Sequence, residues 1–472
     1  MRYCGISEFF HNAGIAFIDE NGNIEFASES ERYYKTKNHP RVHKYLIDMI
    51  KHDDHISFYE DHSLRSTREN HPKLAEIIKD IRYSYDTHYE HHQSHVFAAY
   101  YTRPWTSTED TVMLSIDGAG ELQSATIYDS DFNLVHQEMW FSSIGIIYAE
   151  ATKALGYKAL EEEYIVMGMA AFGEPSLYDV VEDLVKTWHM KQKGTNYSIL
   201  TDLKLDFDHL VKISKEDFAA SIQKWAEVEI LKLAKIARKY GNKLCYSGGV
   251  AQNIVANSKI RELFDDMWIA INPADGGSSI GAAARSWALD TGKNRLNWKD
   301  AYLGYDEKSY VNPKHVAGHL DHLKIGGVIN GPAEFGPRAL GNRSLLADPR
   351  IDIKDTVNRV KNREEFRPFA PAILEEFADE YFEGHMNEYM QYTAKAKHDY
   401  KSVTHIDGTS RVQIVRKDSR SIIRPILEEF YELTGVPMLL NTSLNVRGKP
   451  ICNDKYDGKL FEVTTDVKVF GS

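Results

Sequence analysis

Short apolar runs divided by turn-forming residues open the chain. RYCGIS (2–7), AGIAFID (13–19) and IEFAS (24–28) read as three successive strands, and Asn21-Gly22 between the last two is a hairpin signal. HKYLIDMIKH (43–52), just past Pro40, has helical spacing, and HISFYE (55–60) returns to strand. SHVFAAYYTR (94–103) predicts a helix with an apolar face through Val96, Ala99 and Tyr100. TVMLSIDGAGE (111–121) reads as a buried strand ending in an Asp117-Gly118 turn, and SATIYDSD (124–131) starts a second hairpin. Helical tracts follow over IIYAEATKALGY (146–157) and much of 215–240. Strand, glycine loop and helix then recur twice, in KLCYSGG with VAQNIVANSKIREL (243–263) and in MWIAIN with GSSIGAAARSWAL (267–289). An Asp275-Gly276 turn is expected inside the second of these.

Hairpins ending in Asp-Gly turns, followed by strand–glycine-loop–helix units, imply an α/β, actin-like domain of duplicated hairpin and helix subdomains. The periodicity weakens over 294–315, which places a linker near 295–312 and gives expected domains of 1–298 and 299–472. Past the linker come arginine-bearing loops and short apolar strands such as KIGGVIN (324–330) and VPMLLN (436–441), as expected of a second α/β domain. No sequence repeat stands out.

Composition narrows the function classes. The chain has 472 residues, too many for one ordinary core, and 42% of them are hydrophobic. A formal net charge of −12 argues against broad attraction to nucleic acid or anionic membrane, while leaving room for a local basic pocket. Cys4, Cys245 and Cys452 are far apart and odd in number, so reduced thiols and a cytoplasmic location are expected. The N-terminal stretch lacks a signal-peptide core, and no apolar run approaches the roughly 18 to 20 residues of a membrane span.

Candidate chemistry falls into two groups. In EHHQSHVFAAY (90–100), His91 and His95 lie four apart and share one helix face, so they can chelate one metal ion. On its own the pair says little in a chain with 20 histidines, five of which (His39, His43, His52, His55 and His62) crowd nearby. Asp117 and Asp275 strengthen it, because the corresponding turns of an actin-like fold converge on one cleft. Two imidazoles with one or two carboxylates suit iron or zinc. In YSGGVAQN (246–253), Ser247, Gly248 and Gly249 lie between a strand and a helix, where backbone N–H groups and the helix dipole can hold an anion, with Asn253 one turn on.

The second half gathers cations in turn-rich segments. EFGPRALGNRSLLADPR (334–350) carries Arg338, Arg343 and Arg350, and KNREEFRPFAP (361–371) adds Lys361, Arg363 and Arg367. Arg411 follows in GTSRVQ, and Asn441, Thr442, Ser443 and Arg447 in LLNTSLNVRGKP. Guanidinium forks bind phosphate bidentately, and glycine and proline let the backbone approach a ligand. Scattered among turn formers and apolar residues rather than along helix faces, these cations predict a polyanion site for a nucleotide or phosphorylated donor.

These motifs together resemble one family, the ATP-dependent O-carbamoyltransferases that decorate aminoglycosides, cephem antibiotics and nodulation factors. The resemblance runs nearly end to end, through GISEFFHNAGIAF, ESERYYKTKNH, EHHQSHVFAAYY, SIDGAGE, EEEYIVMGMAAFGEP, SGGVAQN and DGGSSIGAA. It continues through EFGPRALGNRSLLADPR, FRPFAPAIL, DGTSRVQ and LLNTSLNVRGKPI. It implies a YrdC-like second domain that forms carbamoyl-adenylate from carbamoyl phosphate and ATP, ATP entering with Mg2+. Arg338 and Arg343 would neutralise charge building on the donor. The first domain, similar to tRNA threonylcarbamoyl transferases, would pass carbamoyl to a hydroxyl of a sugar- or nucleoside-like small molecule. The resemblance also implies a metal, usually Fe2+, at His91, His95, Asp275 and Asp117, and makes His11 the base. The sequence departs from the family at Asn12, usually Asp, and at Ile165, usually Lys, and its C-terminal end is short. The tract between Leu177 and Lys215 is expected to shape the acceptor pocket. Other readings are a threonylcarbamoyl transferase acting on tRNA, an actin-fold kinase and a nucleotide-binding regulator. Oligomeric state has no sequence signal.

Overall fold

The three opening apolar runs become β1 (Arg2–Ser7), β2 (Gly14–Ile18) and β3 (Ile24–Glu29) of a computed structural model that describes residues 1–61, 84–192 and 205–472. With β4 (Asp54–Phe58) and β5 (Thr87–His88) they form a five-stranded sheet in the order β3-β2-β1-β4-β5. β1 runs antiparallel to β2 and parallel to β4, and β5 continues the parallel side. The same plan is then built again from β6 (Thr111–Gly120), β7 (Gln123–Tyr128), β8 (Leu134–Met139), β9 (Lys243–Ser247) and β10 (Asp266–Ile269). β6 is antiparallel to β7 and parallel to β9, with β10 outermost. A sheet of one order and polarity, laid down twice, is the actin-like architecture.

The duplication reaches into the turns. Between β2 and β3, Asp19 Oδ1 accepts from the N–H groups of Asn21 (2.9 Å) and Asn23 (2.8 Å), and Asn23 Nδ2 donates to Asp19 Oδ2. Between β7 and β8, Asp129 Oδ1 accepts from the N–H groups of Asp131 (3.0 Å) and Asn133 (2.9 Å), and Asn133 Nδ2 donates to Asp129 Oδ2. The fourth loop residue is left-handed in both, Gly22 at φ 90° and Phe132 at φ 63°. One turn recipe, Asp at the first position and Asn at the fifth, therefore serves both sheets.

Each sheet's last strand leads into a helix: His91–Thr102 after β5, and Asp275–Thr291 after β10. Glycines let these helices seat closely. A Cβ on Gly5 would lie 1.8 Å from the Ser279 carbonyl oxygen, and one on Gly281 would lie 1.9 Å from the Ser94 carbonyl oxygen.

Three local expectations change. HKYLIDMIKH is helical only over Lys44–Ile47. Asp117-Gly118 is no turn but lies within β6, where the β6–β7 register slips between Ile116 and Gly120. Asp275-Gly276 likewise opens the helix Asp275–Thr291. His62, and residues 193–204 of the tract expected to shape an acceptor pocket, lie outside the described residues.

The chain divides into two compact units, one of Met1–Ser30 with Asn38–Lys299, the other of Glu31–Lys37 with Asp300–Ser472. Glu31–Lys37 thus belongs with the second unit although the expected division places it in the first. Arg32 donates to the Gly336 carbonyl at 3.3 Å, and Lys35 pairs with Asp457 at 2.5 Å.

The second unit is also α/β. Its main sheet has the order β19-β15-β20-β14-β12-β21, from β12 (Ile325–Ile329), β14 (Arg343–Ala347), β15 (Ala370–Leu374), β19 (Gln413–Val415), β20 (Met438–Ser443) and β21 (Val469–Phe470). Alternation along β14 and β20 sends Leu346 and Leu439 into a cluster with the helices Pro313–Leu323 and Ile423–Thr434. Leu345, Ala347 and Leu440 enter another, with Val357 and Phe461 of the helices Lys354–Val360 and Lys455–Thr465. A ribbon of β11 (Tyr302–Glu307) and β13 (Gly331–Glu334), and a small sheet of β16 (Phe382–Glu383), β17 (Ala394–Ala396) and β18 (Thr409–Ser410), complete it.

Candidate functional site

The duplicated plan delivers the first unit's chemistry to one place. His91 and Asp275 stand at the same point of the two copies, each opening the helix that follows the fifth strand. His91 begins its helix behind a capping box of Glu90 and Gln93, and its backbone N–H also reaches the Glu121 carboxylate at 3.0 Å. His95 follows one turn later. Asp117 enters from the bulged end of β6, and the loop after β1, its equivalent in the first copy, carries His11.

His91, His95, Asp117 and Asp275 are all buried, and one ligand atom from each lies within 4.8 Å of the others. His91 Nε2 is 3.0 Å from Asp117 Oδ2 and 3.6 Å from Asp275 Oδ1. His95 Nε2 is 3.5 and 3.4 Å from the same two oxygens, and 3.1 Å from His91 Nε2. The outer nitrogens have their own partners: Glu60 Oε2 lies 3.4 Å from His91 Nδ1, and Ser278 Oγ 3.0 Å from His95 Nδ1. Both imidazoles are thereby turned with Nε2 toward the carboxylates, the arrangement that orients metal-binding histidines. Sequence reasoning missed Glu60 and Ser278; each comes from a different element, so no local spacing pairs them with the histidines.

The charges here are balanced among themselves. Burial pushes the His91 imidazolium down, but Asp275, Asp117 and Glu60 outweigh it and hold it well above the ordinary histidine range. Burial likewise opposes ionised Asp275, yet His11, His91 and His95 bring it down to about 2. Both Asp275 oxygens are buried without a hydrogen-bond partner among the described residues. A buried carboxylate lacking a donor, facing two Nε2 atoms and a second carboxylate, fits a divalent cation better than it fits protons alone. His92 does not join: its Nε2 meets the Gln123 carbonyl at 3.1 Å, and burial next to His91 lowers it to about 3. His11 sits at the edge, with Nε2 3.7 Å from Asp275 Oδ2.

The glycine loop serves this cluster. Gly249 N–H donates at 2.9 Å to Asp117 Oδ1, so the anion held there is the chain's own carboxylate rather than a phosphate. Gly248, at φ 91°, packs so closely that a Cβ would meet the Ile116 carbonyl oxygen at 2.2 Å. Ser247 is buried, with Oγ 3.4 Å from the Pro273 carbonyl. Asn253 is also committed, since its Oδ1 caps the following helix at Ala256 N–H and accepts from Gln223. In this structure the loop's printed contacts are all within the protein.

In the second unit the arginines separate by environment. Arg343 is fully buried and makes five hydrogen bonds, all to main-chain carbonyls: Nε to Asn453, Nη1 to Asn330 and Asn342, Nη2 to Tyr305 and Gly331. With every donor used, it cannot grip a phosphate; it ties the end of β11 to the turn before β13 and the segment after β20. Lys361 is similarly engaged, with Nζ donating to Ser443, and to the Asn445 carbonyl and side chain at 2.9 Å. Arg350 pairs with Asp348 at 2.6 Å and with Asp321. These three cations are structural.

Four others form a group of like charge. Burial, then Arg338, Arg363 and Arg367, push the Arg411 guanidinium well below the ordinary arginine range, and its Nε is buried without a partner among the described residues. Burial and the charges of Arg363, Arg367 and Lys37 push Lys361 down in turn. Arg363 lies 4.0 Å over the Phe369 ring. Glu364 meets Arg367 at 3.5 Å and also pairs with Arg447. Asn441, in β20, has its Nδ2 held by the Ala339 carbonyl and Gln413 and its Oδ1 buried without a partner among the described residues. Thr442 and Ser443 finish β20, half-buried. Mutually repelling, half-buried cations favour an anion among them. Lys37, from the segment Glu31–Lys37, was not anticipated here.

Residues 68–284 match the family described as Carbamoyltransferase N-terminus, and residues 317–470 the one described as Carbamoyltransferase C-terminus. Nodulation protein NolO of Bradyrhizobium diazoefficiens is 30% identical over 424 residues, covering 80% of this chain and 76% of its own. An uncharacterised protein of Methanocaldococcus jannaschii is 30% identical over 497 residues, covering 94% of each chain. Among solved structures, an activator of 2-hydroxyisocaproyl-CoA dehydratase from Clostridium difficile with bound ADPNP aligns with 63% of this chain and 100% of its own, at 15% identity and a TM-score of 0.38.

Proposed function

The chain belongs to the carbamoyltransferase family, and from that premise we propose that it forms carbamoyl-adenylate from carbamoyl phosphate and ATP, then transfers carbamoyl to a hydroxyl of a small-molecule acceptor. The observation that carries this reading is the Arg411 group, in which a guanidinium whose Nε is buried without a partner among the described residues lies within the fields of Arg338, Arg363 and Arg367. In the first step, water takes the phosphoryl group of carbamoyl phosphate, a carbamate oxygen bonds to the α-phosphorus of Mg2+-bound ATP, and phosphate and pyrophosphate leave. Arg338, Arg363, Arg367 and Arg411 hold the donor and neutralise charge as it builds on the phosphorus oxygens.

In the second step the acceptor oxygen bonds to the carbamoyl carbon, the bond to the adenylate oxygen breaks and AMP departs. The hydroxyl proton passes to His11 Nε2. A divalent iron or zinc ion held by His91, His95, Asp117 and Asp275 would supply Lewis acidity to carbamoyl or phosphate oxygen. Glu60 and Ser278 keep the two imidazoles turned toward that position, and Gly249 N–H fixes Asp117. An acceptor of sugar or nucleoside type supplies the hydroxyl.

The test uses purified, metal-loaded protein with Mg2+, ATP and carbamoyl phosphate. Acceptor-independent pyrophosphate release is expected, and mass spectrometry of hydroxyl compounds then added should find the carbamoyl increment together with AMP. Formation of ADP without pyrophosphate would instead mark a kinase and overturn the proposal.

A further inference from the structure

Among its cations the second unit also buries a hydrogen-bond acceptor. Asn441, in β20, is fully buried, and its amide is held in one orientation by a relay of hydrogen bonds. Gln413 Nε2 donates to the Leu340 carbonyl at 2.8 Å, which fixes Gln413 Oε1 as the acceptor on the other side. Asn441 Nδ2 donates to that Oε1 at 2.7 Å and to the Ala339 carbonyl at 3.1 Å. Both amide hydrogens are thus used, and turning the amide over would set Oδ1 against two oxygens. Asn441 Oδ1 therefore keeps its place, with no donor among the described residues. A buried acceptor in that state is costly, and a ligand bringing an N–H satisfies it.

The anchors of this amide belong to the arginine segments. Ala339 follows Arg338 directly, and Gln413 stands two residues past Arg411. Arg411 lies within the field of Arg338 and has the complementary defect, a buried Nε with no partner among the described residues. One orphaned acceptor and one orphaned donor are answered together by the edge of a primary amide, N–H2 on one side and C=O on the other. The carbamoyl N–H2 is joined to its phosphate through a single carbon and oxygen, so it reaches Asn441 while the phosphate stays among the cations. An adenine amine stands a whole ribose farther off.

We propose that Asn441 is a specificity-determining residue of the donor site: its Oδ1 accepts from the carbamoyl N–H2 and so selects a carbamoyl donor over an acyl phosphate of the same shape. The role rests on the carbamoyl-adenylate reading, but the recognition can be measured without turnover. Acetyl phosphate, with a methyl group in place of N–H2, leaves Oδ1 unpaired and is rejected.

The experiment compares two stable phosphonates, carbamoylphosphonate and acetylphosphonate, by calorimetric titration of the whole metal-loaded protein. Wild type is expected to bind the first about 10²-fold more tightly than the second. Asn441→Leu, close in volume, should remove most of that preference by weakening carbamoylphosphonate alone, and Asn441→Ala serves where the leucine variant fails to fold. Pyrophosphate release with carbamoyl phosphate and acetyl phosphate should show the same collapse in the ratio of kcat/KM. A residue that merely packs would weaken both phosphonates together and keep their ratio, which would overturn the proposal. Equal binding of the two by wild type, or binding of neither, would do the same. Loss of AMP binding in the variant with an unchanged phosphonate ratio would assign Oδ1 to the nucleotide and likewise overturn it. The expected preference in a protein that releases no pyrophosphate would sink the functional reading and leave carbamoyl recognition by Asn441 standing.

Discussion

The two units bury charge in opposite ways. Around His91 and Asp275, two imidazoles face two carboxylates, so opposite charges lie a few ångströms apart and hold one another in their ionised forms. Around Arg411 the neighbours carry the same sign, and burial adds to their repulsion. In the first cluster acids and imidazoles offset one another; in the second the cations named around Arg411 lower its ionisation. Burial alone is therefore a poor guide to function, and the sign of what surrounds the buried group is a better one. Arg343 makes the point within one unit: more deeply buried than Arg411, it is satisfied by carbonyls and has nothing left for a ligand.

The comparison is broken most severely by emptying the first cluster. Replacing His91 and His95 together by alanine should lower carbamoyl transfer about 10³-fold or more and bring bound metal to background, leaving pyrophosphate release intact. Metal analysis alongside the two half-reaction assays checks this; full metal content in the double variant would dissolve the assignment. Arg343→Lys should behave as a stability variant, costing about 3 kcal/mol in urea unfolding because several buried carbonyls lose their donor. Arg411→Gln should do the reverse, slowing pyrophosphate release about 10²-fold while unfolding no more easily than the parent.

A smaller effect concerns pH. In the metal-free protein Asp275 is held near 2 against an ordinary 3.8, so it stabilises the fold above about pH 4 and loses that contribution as pH falls toward 2, roughly 2 kcal/mol in all. His91 is raised, so its contribution is full below about pH 6.5 and declines as pH rises through its folded value. Metal displaces that proton, so only metal-free protein should weaken on the alkaline side; denaturation midpoints across pH, with and without metal, measure it. Smallest of all, Asp19→Ala and Asp129→Ala should each cost about 1 kcal/mol, and near-equal losses would confirm that the two hairpin turns are one device.

Much of the fold was legible because strands and hairpins are written locally. The Asn21-Gly22 signal, the strand–glycine-loop–helix units and the His91/His95 spacing all survive into the structure. What was hidden depends on the partner rather than on the residue. Arg343 and Arg411 look alike in a turn-rich string, and only the carbonyls around one and the guanidiniums around the other tell them apart. Glu60 and Ser278 reach the histidines through sheet and helix packing. Asp117 and Asp275 were expected at tight turns, and occupy instead a bulged strand and a helix start. The repeat was invisible to letter matching because it resides in strand order and in Asp–Asn turns whose other positions have diverged.

The helix that carries Asp275 bears main chain against main chain at Gly5 and at Gly281. Such seats have no rotamers to relax and no methyl groups to exchange, so substitutions elsewhere in the core cannot shim the helix up or down. It acts as a fixed datum: the carboxylate that opens it takes its place from two backbone seats, and sequence drift in the surrounding loops leaves those seats as they are.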